Sequence, residues 1–170
     1  LVVEVSREGK LYRQKFERGK PVTELKVVGQ TDISGTKTTF KPDDIIFEEI
    51  KFDFDTLLSR FRQMAFLNKG ITINLIDERP EEKIVKNLHY EGGIISFVEY
   101  MNRNKEPIHG KPRYYEGSKE GSYVEISMQY NSTYVENIYS FANNIETTEV
   151  GTHLTGFKAA ITKVFYVYAR

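Results

Sequence analysis

Over the first forty residues, β-branched and aromatic positions gather in short runs separated by turn residues, a pattern that predicts antiparallel sheet. Leu1 to Val5 and Leu11 to Glu17 form one such pair, with Arg7-Glu8-Gly9-Lys10 as the turn of a hairpin. Gly19-Lys20-Pro21 closes the second strand, Leu25 to Gly29 offers a third, and Gly35 to Phe40 a fourth that Pro42 stops. Alternation along that fourth strand puts Thr36, Thr38 and Phe40 on one face and Lys37 and Thr39 on the other.

The period then changes. Leu57, Leu58, Phe61, Met64, Ala65 and Leu67 recur at three- and four-residue spacing, which predicts a helix from an Asp55 N-cap to Leu67, with Asn68-Lys69-Gly70 as its exit. Ile71 to Leu75 alternates as a half-buried strand, the charged loop 77–83 follows, and Ile84 to Tyr90 predicts its partner. At Glu91-Gly92-Gly93 the sheet pattern ends and a helix over Ile94 to Met101 begins, so a boundary is placed there. The segment 103–112 reads as irregular because of its prolines. Tyr123 to Tyr130 is a strand, and Tyr134 to Phe141 and Asn144 to Glu146 keep strand-like character. A final helix from Thr152 or His153 carries Leu154, Phe157, Ile161, Val164, Phe165 and Tyr168 as its apolar stripe. The whole is α+β, with helices backed on largely antiparallel sheets in two units.

Composition narrows the function classes. With 39% hydrophobic and 13% aromatic residues among 170, the chain can build a core. Its 24 basic and 24 acidic residues leave no general attraction to a polyanion, so a nucleic-acid partner needs a local basic patch or another chain. Cysteine is absent, which excludes disulfides, thiolate metal sites and cysteine nucleophiles. No apolar run reaches membrane-spanning length, and Leu1-Val2-Val3-Glu4-Val5 has no signal-peptide form; a cytoplasmic location is expected. The chain opens directly on a strand and closes abruptly at Phe165 to Arg170, as expected of a piece cut from a longer protein.

Candidate chemistry is sparse. His89, His109 and His153 lack metal-ligand spacing, and adjacent carboxylates such as Glu48-Glu49 and Glu81-Glu82 diverge on any regular element. Neither a Walker-type loop nor a dinucleotide fingerprint occurs. Gly35-Thr36 reads as an ordinary turn entering a strand, Gly92-Gly93 as a hinge or tight helix entry, and Gly151-Thr152-His153 as a helix start with Thr152 as cap or as a donor of free amides to an anion.

Several longer segments carry more information. Tyr12 to Val22, Gly35-Thr36-Lys37-Thr38-Thr39-Phe40-Lys41-Pro42-Asp43, Arg62 to Gly70, His89 to Ile94 and Asn102-Arg103-Asn104-Lys105 occur in one order with Gln129-Tyr130-Asn131, Glu136 to Phe141 and Gly151-Thr152-His153-Leu154 through Ala160. In that order they resemble the B-subunit family of bacterial DNA gyrase, among the ATPase subunits of type II DNA topoisomerases. The departures are Val150-Gly151 where a double glycine is usual, and Gly110 where proline usually follows the histidine.

The resemblance implies a partial GHKL (Bergerat) ATPase sandwich over 1–90, followed over 91–170 by a partial transducer of ribosomal protein S5 domain 2-like fold. It implies ATP and Mg2+ as cofactors of the full-length protein, with Gly35, Thr36 and Thr38 contacting nucleotide, Gly92 and Gly93 as hinge, and no catalytic or metal-holding residue here. The glutamate base, the magnesium asparagine, the adenine-binding aspartate and the lid are expected before Leu1, and the γ-phosphate lysine beyond Arg170. Implied partners are the gyrase A subunit in an A2B2 heterotetramer, a second B subunit through the ATP-dependent gate, double-stranded DNA and aminocoumarin inhibitors, with no membrane. The alternatives are a topoisomerase IV subunit, or a binding or scaffold module that keeps the fold without ATP turnover.

Overall fold

The computed structural model describes residues 1–147 and 151–170. The departure at Val150 lies outside the described residues. Two compact units divide the chain, residues 1–52 and 53–170.

The first unit is a sheet. Strands β1 (Val2–Arg7) and β2 (Lys10–Glu17) form the expected antiparallel hairpin, with Val5 opposite Tyr12 and Val3 opposite Gln14. Glu8 and Gly9 both take positive φ, 52° and 75°, the backbone a two-residue turn needs to match strand twist. A similar pair, Arg18-Gly19, returns the chain into β3 (Lys20–Pro21). Beside the other half of β2 runs β4 (Lys26–Gln30), with a bulge where the register shifts between Leu11 and Tyr12. The opposite edge is β5 (Gly35–Thr39), paired antiparallel with β1. No described residue of this unit is fully buried, and large apolar side chains such as Val27, Val28, Phe40 and Ile46 stay exposed.

The second unit holds the core. Helix α1 (Phe54–Leu67) packs against the hairpin of β6 (Thr72–Asp77) and β7 (Ile84–His89) and against α2 (Gly93–Asn102), while α2 also packs on β9 (Ser122–Met128). Ala65, Phe66, Leu88, Phe97 and Val98 are buried. Phe66 stacks on Tyr90 with centroids 3.7 Å apart and on Phe97 at 5.1 Å, so the buried side of α1 centres on Phe66, which the expected stripe left out, whereas Met64 of that stripe is exposed.

Four expectations need correction. The N-cap of α1 is Asp53, whose carboxylate accepts from the Thr56 amide at 2.7 Å, and Asp55 falls in the first turn. A whole strand, β8 (Arg113–Lys119), pairs with β9 through a Glu120-Gly121 turn. Residues 135–140 form no strand, and only β10 (Phe141–Ala142) and β11 (Ile145–Glu146) pair, as a minimal hairpin. Finally, α3 (Thr152–Tyr168) starts from Gly151 without a side-chain cap bond, with Thr152 as its first helical residue; the His153 ring meets the Ser140 hydroxyl at 2.5 Å instead.

Candidate functional site

Cross-strand partners project from the same face of a sheet. Register therefore lines up Thr36 with Val5 and Tyr12, and Thr38 with Val3 and Gln14. The reverse face is ionic: Lys37 lies opposite Glu4, which lies opposite Arg13, with both cations 3.9 Å from the carboxylate. With Glu4 and its two cations on that side, the stretch bearing Thr36 and Thr38 presents two hydroxyls beside two half-buried valines, and Arg7 and Lys10 follow on the same face at the hairpin end.

Neither threonine hydroxyl has a hydrogen-bond partner among the described residues, and both residues are exposed. Being β-branched, they hold χ1 tightly, so the hydroxyls are presented at small entropic cost. Gly35 opposite Ser6 opens the strand, and no atom lies within 4 Å of where its Cβ would sit, so the backbone there is approachable. Such a strip suits a flat heterocycle with polar edges: the valines cover its face and the hydroxyls donate or accept at its rim. Val3 and Val5 were not singled out from the sequence. The signal was present in the β1 alternation, but only the β1–β5 register puts them beside Thr36 and Thr38.

Gly92 and Gly93 stand at the entry to α2 in the second unit, and the two differ physically. Gly93 is buried with φ +57°, a left-handed backbone that glycine adopts without penalty, and a Cβ there would fall 2.4 Å from Lys69 Cε. Gly92 has φ −80° and ψ −1°, open to any residue, although a Cβ would meet Ser96 Oγ at 2.1 Å. Just before them, His89 Nε2 lies 2.7 Å from Glu91, and its Nδ1 lies 3.1 Å from both Ile71 O and the Thr72 hydroxyl. The helix entry is thus tied back to the β6–β7 hairpin.

A polar network went unrecognised. Asn102, at the end of α2 and 6% exposed, donates to Gln129 Oε1 at 3.0 Å and accepts from Asn131 Nδ2 at 2.9 Å. Gln129 Nε2 donates to His109 O, and the His109 ring receives the Tyr130 amide on Nε2 while its Nδ1 lies 2.8 Å from Lys111 O. These bonds fasten the irregular 103–112 segment to the end of β9, which is why its prolines do not leave it loose. All three histidines thus have hydrogen-bond partners within the fold. Among the described residues no group of three His, Asp or Glu is placed to hold a metal ion, and no helix is long and apolar enough to cross a membrane.

Known proteins match this chain in sequence and in fold. The family model described as DNA gyrase B matches residues 93–170. The chain is 56% identical, along all of its length, to the DNA gyrase B protein of Halalkalibacterium halodurans, and 57% identical to that of Bacillus cereus, of which it spans 27% and 42% respectively. Its fold superposes with a TM-score of 0.82 and 35% identity on the 43K ATPase domain of Thermus thermophilus gyrase B, solved in complex with an aminocoumarin, covering 99% of this chain and 46% of that one. Along its whole length the chain thus matches proteins of the DNA gyrase B family in sequence and in fold.

Proposed function

We propose that these residues work within an ATP-hydrolysing gyrase subunit that negatively supercoils double-stranded DNA, and that they couple nucleotide state to gate movement. The observation that carries the reading is identity of 56% and 57% to gyrase B proteins over the whole chain. In this reading 1–90 is the rear of the ATPase domain and 91–170 the front of the transducer; the family match starting at residue 93 supports that division.

Gly35, Thr36 and Thr38 contact the adenine edge, with Val3 and Val5 beneath it. ATP with Mg2+ supplies the free energy of hydrolysis, while this chain's part is to hold the base and pass on the resulting closure. Gly92 and Gly93 act as the joint between sheet and transducer helix. The partners are the A subunit in an A2B2 assembly, a second B subunit across the gate, and duplex DNA, in the cytoplasm. Aminocoumarins, one of which the Thermus thermophilus domain binds, compete at the same adenine edge.

The deciding experiment is ATP-dependent supercoiling of relaxed plasmid by the full-length protein reconstituted with its A partner. Negative supercoils support the assignment. Decatenation and relaxation without supercoiling would move it to topoisomerase IV, and loss of all ATP-dependent strand passage would leave a scaffold module. The chain by itself should release no phosphate above blank.

A further inference from the structure

The chain as a whole is electrically neutral, with 24 basic and 24 acidic residues. One locality is not. Arg62, Arg103 and Lys105 form no ion pair among the described residues, whereas Arg60 and Arg79 of the same unit each hold a carboxylate. Two of the three engage Tyr100 instead. Arg62, half-buried, donates to the Tyr100 hydroxyl at 2.9 Å, and the Arg103 guanidinium lies 4.2 Å over the Tyr100 ring.

Tyr100, Arg103, Asn104, Lys105, Asn137 and Tyr139 line a cavity of about 370 Å³, and no lining residue is acidic. The donors available there are a guanidinium fork, an ammonium, the Asn104 carboxamide and the second N–H of the Asn137 carboxamide, whose first donates to Val135 O at 3.3 Å. The Tyr100 oxygen accepts from Arg62, so its own proton is free to point elsewhere.

A simpler role would be capping. The cavity sits at the C-terminal end of α2, where the helix dipole amounts to about half a negative charge. That role does not account for the geometry. Neither the Arg103 nor the Lys105 side chain bonds a helix carbonyl among the described residues; their backbone amides do, to Tyr100 O at 3.4 Å and Asn102 O at 2.9 Å. Two full positive charges also exceed what the helix end can balance, which leaves a net positive hollow large enough for a tetrahedral oxyanion. We propose that this cavity binds a phosphate group, held bidentately by Arg103 and as a point charge by Lys105, with the Asn104 and Asn137 amides on the remaining oxygens.

Two sources supply that chemistry: the backbone of duplex DNA, which rests on the proposed function, and a free phosphate or nucleotide, which does not. The test titrates the isotope-labelled chain with inorganic phosphate, pyrophosphate and a short duplex, following the Arg103 Nε–H and the Asn104 and Asn137 side-chain amides by NMR. Arg103→Gln and Lys105→Gln should each weaken binding about tenfold, the loss of one charge-assisted contact, and Arg103→Lys should fall between. Lys119→Gln, at the exposed β8–β9 turn, should change nothing. For the duplex, each of the two neutralising variants should also lower the salt slope of log K by about 0.9. Binding of all three probes with that mutational pattern assigns the site to nucleic acid. Binding of phosphate and pyrophosphate alone assigns it to a free phosphate. Absence of any response in the three reporter groups, in a wild-type chain with an intact dispersed spectrum, overturns the proposal, as does an equal loss in Lys119→Gln. Supercoiling is not the readout, so either result leaves the gyrase reading where it stands.

Discussion

Removing the Asn102 side chain tests the second unit where its polar and apolar parts meet. Asn102→Ala leaves Gln129 Oε1 and Asn131 Nδ2 without partners, and neither can turn to find another. The Gln129 amide is fixed because its Nε2 donates to His109 O, and Asn131 because its Oδ1 accepts from the Thr133 amide at 3.0 Å. Stranding a buried polar group costs about 1 to 3 kcal/mol. With two such groups, both only part-buried, the expected loss is about 2 to 4 kcal/mol, a large share of the stability of any domain. Urea unfolding followed by circular dichroism should show it as a midpoint lowered by roughly 1 to 2 M at unchanged slope.

Asn102→Asp sharpens the test. It keeps the acceptor for Asn131 but points a carboxylate oxygen at Gln129 Oε1, so at neutral pH it should cost at least as much as alanine despite its nearly identical shape. An alanine variant within about 0.5 kcal/mol of wild type, or an aspartate variant as stable as wild type, would refute the network as a source of stability.

Three further outcomes are expected. Thr36→Val in the full-length protein should fold normally and weaken a non-hydrolysable ATP analogue by about 1 kcal/mol, or up to about 3 if a buried partner is stranded, with aminocoumarin affinity falling in parallel by calorimetry; equal dissociation constants would remove the contact. Gly93→Ala should cost about 1 to 2 kcal/mol because φ is +57°, whereas Gly92→Ala needs only a new Ser96 rotamer, so thermal melting should separate the pair, and strand passage in the full enzyme should suffer more than ATP binding if the joint moves. Asp77 is held down to about 2, first by the Arg79 side-chain hydrogen bond and then by the Arg79 amide; a carboxylate so depressed adds stability that is fully present above its unfolded value near 4 and is lost as pH falls from there towards 2. A carboxyl-carbon NMR titration should find it ionised below pH 3, and Arg79→Gln should return it upward.

What the sequence disclosed follows the range of the interaction responsible. Elements governed by neighbours one to four residues apart were legible: the β1–β2 hairpin from its Glu8-Gly9 turn, α1 from its three- and four-residue spacing, and α2 from the double glycine ahead of it. The α1 cap was misplaced by two residues because Asp53 and Asp55 are chemically equal candidates, and only the bond to the Thr56 amide distinguishes them. Strand β8 was hidden by Pro112 just before it and by a pattern in which Tyr114, Tyr115 and Glu116 do not alternate cleanly. It is held by a seven-residue ladder with β9, to which a polar cluster adds: Glu116 accepts from the Tyr114 and Tyr123 hydroxyls, and the Tyr114 hydroxyl also reaches Glu125. The same carboxylates push the ionisation of Tyr114 up, Glu116 foremost.

The candidate site divides along the same line. Thr36 and Thr38 could be put on one face from alternation alone, but whether that face is apolar or ionic depends on which strand lies alongside, and that is a long-range fact. Had β1 paired one residue out of register, Thr36 would have faced Glu4 and the hydroxyl strip would have become a charged one. Asn102 makes the point from inside the core. By helical period it follows Val98 at four residues and so belongs to the buried stripe, where an asparagine without partners would cost more than it could contribute. Its presence there requires partners from elsewhere in the chain, which sequence spacing cannot identify. Gln129 and Asn131, 27 and 29 residues downstream, meet that requirement only after β8 and β9 have paired and α2 has packed on β9. The amide network is therefore a consequence of the tertiary fold as well as a constraint on it, and a variant that disturbs β8–β9 pairing should lose it even with Asn102 intact.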